Sequence, residues 1–182
     1  KAPKMVVLEH GPISTGDPWL LSGATSTNGN NVDSYADVAA PNGYVPEVGD
    51  FRAYVNADGP GGVYAFDYTL DPSKPANADL TQQRAAVTQM FYLNNWMHDW
   101  FYDAGFNEAA GNAQANNYER GGEQGDPLRS EAQDYSGTNN ANMSTPADGF
   151  RPRMQMYVYA HEGDAKITTG AGTYDVQQAS FG

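Results

Sequence analysis

The sequence predicts an α+β fold in which one long helix, from about Leu80 to Ala104, is set against β-rich segments. The run DLTQQRAAVTQMFYLNNWMHDWFYDAG (Asp79–Gly105) carries the helix. Val87, Met90, Phe91, Asn94, Met97, His98, Phe101 and Ala104 recur there at three- and four-residue steps, which is one face of a helix. Asp79, with Gln82 three residues on, reads as a capping box whose carboxylate accepts from the free amides of the first turn. Neither Pro nor Gly interrupts the run until Gly105, placed for a left-handed C-terminal cap. At 1.5 Å per residue, about 25 residues reach roughly 38 Å, enough to cross a domain. The β-rich side rests on Val63–Leu70 (VYAFDYTL), where β-branched and aromatic residues lie between Gly- and Pro-rich turns. Met5–Leu8, Val32–Tyr35, Met154–Tyr159 and, more weakly, Ile167–Phe181 are further strand candidates.

Loops join these pieces. From His10 to Asn31 the chain is Gly-, Pro-, Ser-, Thr- and Asn-rich, with Trp19, Leu20 and Leu21 as its bulky anchor and a turn signal at Asn28–Gly29. Ala40–Asp50 is turn-rich, and Phe106–Asn117 suits a short helical turn and loop. Gly121–Asp126 is a flexible loop that lacks the Gly-Lys-Ser/Thr ending of a phosphate cradle and the spaced acids of an EF-hand. Asp134–Met143 leads into another turn-rich loop at Ser144–Phe150.

Composition narrows the class. The chain has 182 residues, enough for one domain with a sizeable core. Its 22 acidic against 10 basic residues give a net charge of −12, which disfavours nucleic acid or an anionic membrane surface as partner. There is no Cys, so disulfides and thiolate sites are excluded. No apolar run approaches the roughly 18 residues of a spanning helix. No basic and apolar leader opens the chain, so any signal peptide is expected to have been removed. A polar surface with low charge and 12 Tyr fits a secreted protein.

Chemistry is sparse. The histidines are His10, His98 and His161. His161-Glu162 begins like H-E-x-x-H, in which two His one helical turn apart share a metal and the Glu between them acts as base, but the second His is absent. His98 reads as a buried structural histidine bonded to neighbouring backbone rather than as a ligand. Asp67 could face a Ca²⁺ but reads more simply as the solvent side of a strand. No G-x-S-x-G elbow is present, and no spacing singles out an acid–base pair of carboxylates. The sequence therefore nominates no catalytic residue and no metal ligand of its own.

Three segments together resemble the fungalysin family of zinc metallopeptidases, relatives of thermolysin. They are GNNVDSY (Gly29–Tyr35), VTQMFYLNNWMHDWFYDAGFNEAAGNAQANNY (Val87–Tyr118) and GTNNANMSTPADGFRPRMQMYVY (Gly137–Tyr159). The resemblance implies that residues 1–160 are the β-rich N-terminal lobe of a thermolysin-like catalytic domain. The H-E-x-x-H helix, the third zinc ligand and the oxyanion groups follow in family order after the third segment, so zinc and base are expected on a missing segment or a partner chain. The implied chemistry is zinc-assisted peptide hydrolysis, with calcium as a further candidate ion.

One family feature transfers by position. An edge strand with an Asn-Ala motif holds the substrate main chain as an added strand, and Asn140-Ala141 matches it. Residues 161–182 resemble the start of an inserted protease-associated domain, or a linker. The expected partners are the C-terminal catalytic chain of the same precursor and a protein or peptide substrate. The lobe is not expected to fold stably alone, because part of its helix would face water. A non-catalytic secreted binding module on the same fold is the alternative, and an unrelated carbohydrate-binding β domain would require exposed aromatics on a flat face.

Overall fold

The computed structural model describes residues 8, 11–58, 64–159, 165–169 and 172–176. Of the features anticipated above, Met5–Val7, His10, His161, Glu162 and residues 177–182 lie outside these.

The strands among the described residues are β1 (Val32–Ala36), β2 (Ala57–Asp58), β3 (Tyr64–Ala65), β4 (Leu128–Ala132), β5 (Ala141–Ser144), β6 (Arg153–Met156), β7 (Ala165–Thr169) and β8 (Gly172–Val176). Four of them form a sheet in the order β1-β4-β6-β5. β1, β4 and β6 are parallel, and β5 closes one side antiparallel to β6. β2 pairs with β3, and β7 with β8, in separate two-stranded ladders. Parallel neighbours need a long crossover. Helix α1 (Leu80–Asp103) lies in the chain between β1 and β4 and packs on both. An α+β lobe with one long helix is what the sequence predicts.

The cap residues are those expected. Asp79 Oδ1 accepts from the amides of Thr81 and Gln82, each at 3.0 Å. The reciprocal half of the box is not made, because the Gln82 amide is occupied by Asp71, accepting from its N–H at 2.7 Å and donating to its carbonyl at 2.8 Å. At the other end Gly105 has φ 107°, which a Cβ would strain. The Gly105 N–H reaches the Tyr102 carbonyl and the Phe106 N–H the Phe101 carbonyl, both at 2.9 Å, a Schellman closure.

The inward face of α1 departs from the predicted stripe. Val87 and Phe91 are buried as expected, but the stripe then continues through Asn95, Asp99 and Tyr102, while Met97 is 43% and Phe101 48% exposed. The reason is hydrogen bonding. Asn95 accepts from Asn31 Nδ2 at 3.2 Å, Asp99 accepts from Trp19 Nε1 at 2.8 Å, and Tyr102 donates to Glu108 at 2.8 Å. Polar residues turned inward fasten loops that have few apolar groups with which to hold themselves. His98 is nearly buried, and its Nδ1 lies 3.3 Å from Asp99 Oδ1, so its partner is a side chain and not the expected backbone.

Val63–Leu70 is also corrected: of its described residues, only Tyr64–Ala65 is strand. The Asn56 amide accepts from the Asp67 N–H at 2.7 Å and donates to the Asp67 carbonyl at 2.8 Å, so one side chain replaces a strand partner. β4 was not anticipated, because its buried Ser130 and Glu131 hide it from an apolar pattern.

Two apolar clusters fill the space between sheet and helix: Trp19, Leu20, Val32 and Phe91 in one, Ala36, Ala53, Val87 and Ala132 in the other. β1 is buried along its whole length, which suits a strand covered on both faces. Its polar residues are paired: Asp33 with Arg52 at 2.7 Å and Arg151 at 3.1 Å, and Ser34 Oγ donating to the Val87 carbonyl at 3.0 Å.

Past α1, Glu108 receives Arg120 Nε at 2.7 Å as well as Tyr102, and Arg120 also pairs with Asp17. Burial raises the Glu108 carboxyl, but the hydrogen bonds from Arg120 and Tyr102 outweigh it and hold the group below its ordinary value. A depressed folded-state pKa gives stability that is present above the unfolded value, about 4.3, and is lost as pH falls through the folded one. Glu108→Gln is therefore expected to flatten the acid limb of the stability–pH curve below about pH 4. Thermal melts of both forms between neutral and acid pH measure this, and parallel curves would show the clamp to be energetically silent.

Candidate functional site

A strand that binds an extended peptide needs an open edge and outward-pointing backbone groups. β5 is the outer strand of the four-stranded sheet, paired on one side with β6. The register sets Ala141 against Met156, Asn142 against Gln155, Met143 against Met154 and Ser144 against Arg153. One residue earlier, Tyr157 N–H donates to the Asn140 carbonyl at 3.2 Å, so Asn140 and Tyr157 form a hydrogen-bonded pair. Antiparallel ladders alternate such pairs. The main-chain groups of Asn142 and Ser144 therefore also face β6, and those of Ala141 and Met143 face the open edge.

The two residues singled out in the sequence meet at this edge. Ala141 opens β5, and Asn140 precedes it, exposed. The Asn140 side-chain oxygen accepts from the Ala141 N–H at 2.8 Å, so this outward donor is covered by its own neighbour. Met143, half exposed at 49%, adds a second outward N–H and carbonyl that sequence reasoning did not name. Only the ladder register reveals it. Beneath the strand, Asn142 Nδ2 donates to Gln155 Oε1 at 2.8 Å and to the Tyr157 hydroxyl at 2.6 Å, and Gln155 Nε2 donates to Asp134. The edge is thus tied to the interior of the sheet by side chains as well as by its ladder.

That chain of bonds ends in a carboxylate group. Asp37 directly follows β1, Glu131 lies on β4 and Asp134 just beyond it, so parallel strands bring the three together at their C-terminal ends. One oxygen from each lies within 4.8 Å of the others, and all three residues are buried. Among the described residues this is the only such group of potential metal ligands.

The descriptive match to known proteins is specific. A model of the family described as Fungalysin metallopeptidase (M36) matches residues 10–171. The chain belongs to the fungalysin family. Among relatives, "Extracellular metalloproteinase 3" of Trichophyton soudanense is 36% identical over 155 residues, covering 82% of this chain and 38% of the relative. "Extracellular metalloproteinase MEP" of Fusarium vanettenii is 34% identical over 165 residues, covering 88% of this chain and 24% of the relative. "Extracellular metalloproteinase 1" of Arthroderma otae is 38% identical over 158 residues, covering 84% and 23%. The chain thus spans 23–38% of the length of these relatives.

Fungalysins are zinc enzymes, and the described residues of this one do not fit a peptidase zinc. The carboxylate group offers oxygen alone, without the imidazole such a site takes, and His98 joins no group of ligands. No helix among the described residues is long and apolar enough to cross a membrane.

Proposed function

We propose that residues 1–160 are the N-terminal lobe of a secreted fungalysin zinc endopeptidase, and that the open edge of β5 aligns the substrate main chain. The observation that carries this is the outward backbone of Ala141 and Met143, with the Asn140 side chain resting on the Ala141 N–H. An incoming peptide would exchange that local bond for its own, with the Asn140 amide freed to bond the peptide backbone. Because β-augmentation reads main chain, many sequences could be held in register.

Zinc and the general base would come from another part of the precursor. Leu93, Trp96, Met97, Trp100 and Phe101 support such a partner: they recur at helical spacing on the face of α1 opposite the core and are 36–59% exposed. Trp96 and Trp100 stack there with ring centroids 5.6 Å apart. We assign this stripe to contact with the C-terminal catalytic part. Residues 161–182 would be a linker or the beginning of an inserted domain.

The test is proteolysis by the protein as its host makes it, with two edge variants. Asn140→Ala removes one side-chain partner and should lower kcat/KM about 3–10-fold, the worth of one neutral hydrogen bond. Met143→Pro deletes an outward N–H and leaves the β5–β6 ladder bonds intact, as proline on an edge allows, and should cost at least about 10-fold. Both should melt close to wild type. Unchanged cleavage by both variants would sink the edge-strand role. A wild type that binds peptide without cleaving it would instead favour a non-catalytic binding module.

A further inference from the structure

The carboxylates at the ends of β1 and β4 are incompletely satisfied. Asp37 Oδ2 accepts from the Gly43 N–H at 2.8 Å, but its Oδ1 is buried with no partner. Glu131 Oε1 accepts from the Tyr35 hydroxyl at 2.8 Å, and its buried Oε2 has no hydrogen bond. Arg153 Nε stands 3.8 Å from that oxygen, beyond hydrogen-bond range, while its Nη1 donates to Asn42 at 3.0 Å. Asp134 is bonded by the Ser136 N–H and hydroxyl and by Gln155. Asp50, a further carboxylate beside Asp37, has both oxygens occupied by the amides of Val38 and Val45.

Buried oxygens without a donor cost roughly 1–3 kcal/mol each, more when charged. Two of them, on residues with no exposed surface, point to a missing positive group. Arg153 answers only Glu131, as a 3.8 Å ion pair without a hydrogen bond, and leaves the Asp37 oxygen with no donor. Burial foremost, with a smaller push from acidic neighbours, raises the carboxyl of Asp37 to about 6 and that of Glu131 to about 7.

We propose that Asp37, Glu131 and Asp134 form a Ca²⁺ site that joins the ends of β1 and β4 and, through Gln155, fixes the position of β5. Donors that are oxygen alone select a hard cation. One oxygen from each carboxylate lies within 4.8 Å of the others, inside the roughly 4.6–5.2 Å that a Ca²⁺ can span, and the irregular set suits Ca²⁺ better than Mg²⁺, which demands near-ideal octahedral geometry. Asp134 then has a double part, as ligand through one oxygen and as acceptor of the Gln155 amide that leads to Asn142. The ion would thereby hold the peptide-binding edge rigid without touching it.

Binding can be read without substrate, so this inference stands or falls separately from the edge-strand reading. The full protein, dialysed free of loose metal, is melted with and without CaCl₂ beside Asp37→Asn and Glu131→Gln. Both substitutions keep side-chain shape and remove a charge. Wild type should gain about 5–10 °C at a Ca²⁺ concentration about 100-fold above Kd, and MgCl₂ should give a smaller gain. Both variants should lose most of the Ca²⁺ gain, and without Ca²⁺ they should melt no lower than wild type, because a crowded charge has gone. Tb³⁺, a hard-cation probe, should luminesce on tyrosine excitation in wild type, since Tyr35 donates to Glu131, and the signal should fall in both variants. Equal Ca²⁺ gains in wild type and both variants, with equal Tb³⁺ signals, would overturn the site. If one variant fails to fold, the other decides alone.

Discussion

Phe91→Ala is expected to be the most destabilising single truncation in the lobe, at about 3–5 kcal/mol. The ring has no exposed surface, and it belongs to the cluster of Trp19, Leu20 and Val32. Those residues come from the N-terminal loop and β1, so the walls of the cavity left behind are separately anchored. Trp19 cannot follow the missing ring, because its indole N–H is held by buried Asp99 at 2.8 Å. Val32 cannot either, because it is set in the parallel register with β4. A cavity that cannot collapse loses transfer free energy and packing together. Thermal or urea unfolding of the full protein measures the effect, expected as a fall in Tm of roughly 6–20 °C. A loss under about 1 kcal/mol would show that this cluster is not the core of the fold.

Gly29→Ala should be the next largest, at about 2–3 kcal/mol or more, through overpacking. A Cβ at Gly29 would lie 2.2 Å from the Trp19 carbonyl oxygen and 3.0 Å from the Phe91 ring. The carbonyl is backbone and is engaged, accepting from the Asn30 N–H at 2.9 Å. Relief would require parting the loop at Trp19 from the turn that begins β1. Combining the two substitutions separates the contacts. If the backbone clash dominates, Gly29→Ala remains destabilising when Phe91 is already Ala. If the double variant is no less stable than Phe91→Ala alone, the ring is the true obstacle.

What the sequence reveals and what it hides follow one physical division. Local signals were legible: the Asp79 cap, the Gly105 closure, the turn before β1 and the short helical turn after α1 each depend on a few neighbouring residues. The inward face of α1 was misjudged after Phe91 because a periodicity rule assumes that apolar groups go inward. Here Asn95, Asp99 and Tyr102 do so, to bind loops. β4 was missed for the same reason, since Ser130 and Glu131 are polar and central. Asn140 and Ala141 are nominated through family resemblance, whereas Met143 and the carboxylate group depend on which strands pair. Asp37 and Glu131 are distant in sequence and become neighbours only through the parallel pairing of β1 with β4. A buried cluster built by topology leaves no spacing to read.

The open edge of β5 has a consequence for solubility. Unpaired main-chain groups that can grip a peptide can equally grip another copy of the same strand, and exposed edges are where chains stack into aggregates. Three features limit that hazard here. The strand is only four residues long, Pro146 follows it closely, and the Asn140 amide keeps the Ala141 donor occupied until something better arrives. Asn140 would then serve as gatekeeper as well as binder, and a protein lacking it would be more prone to precipitate when concentrated.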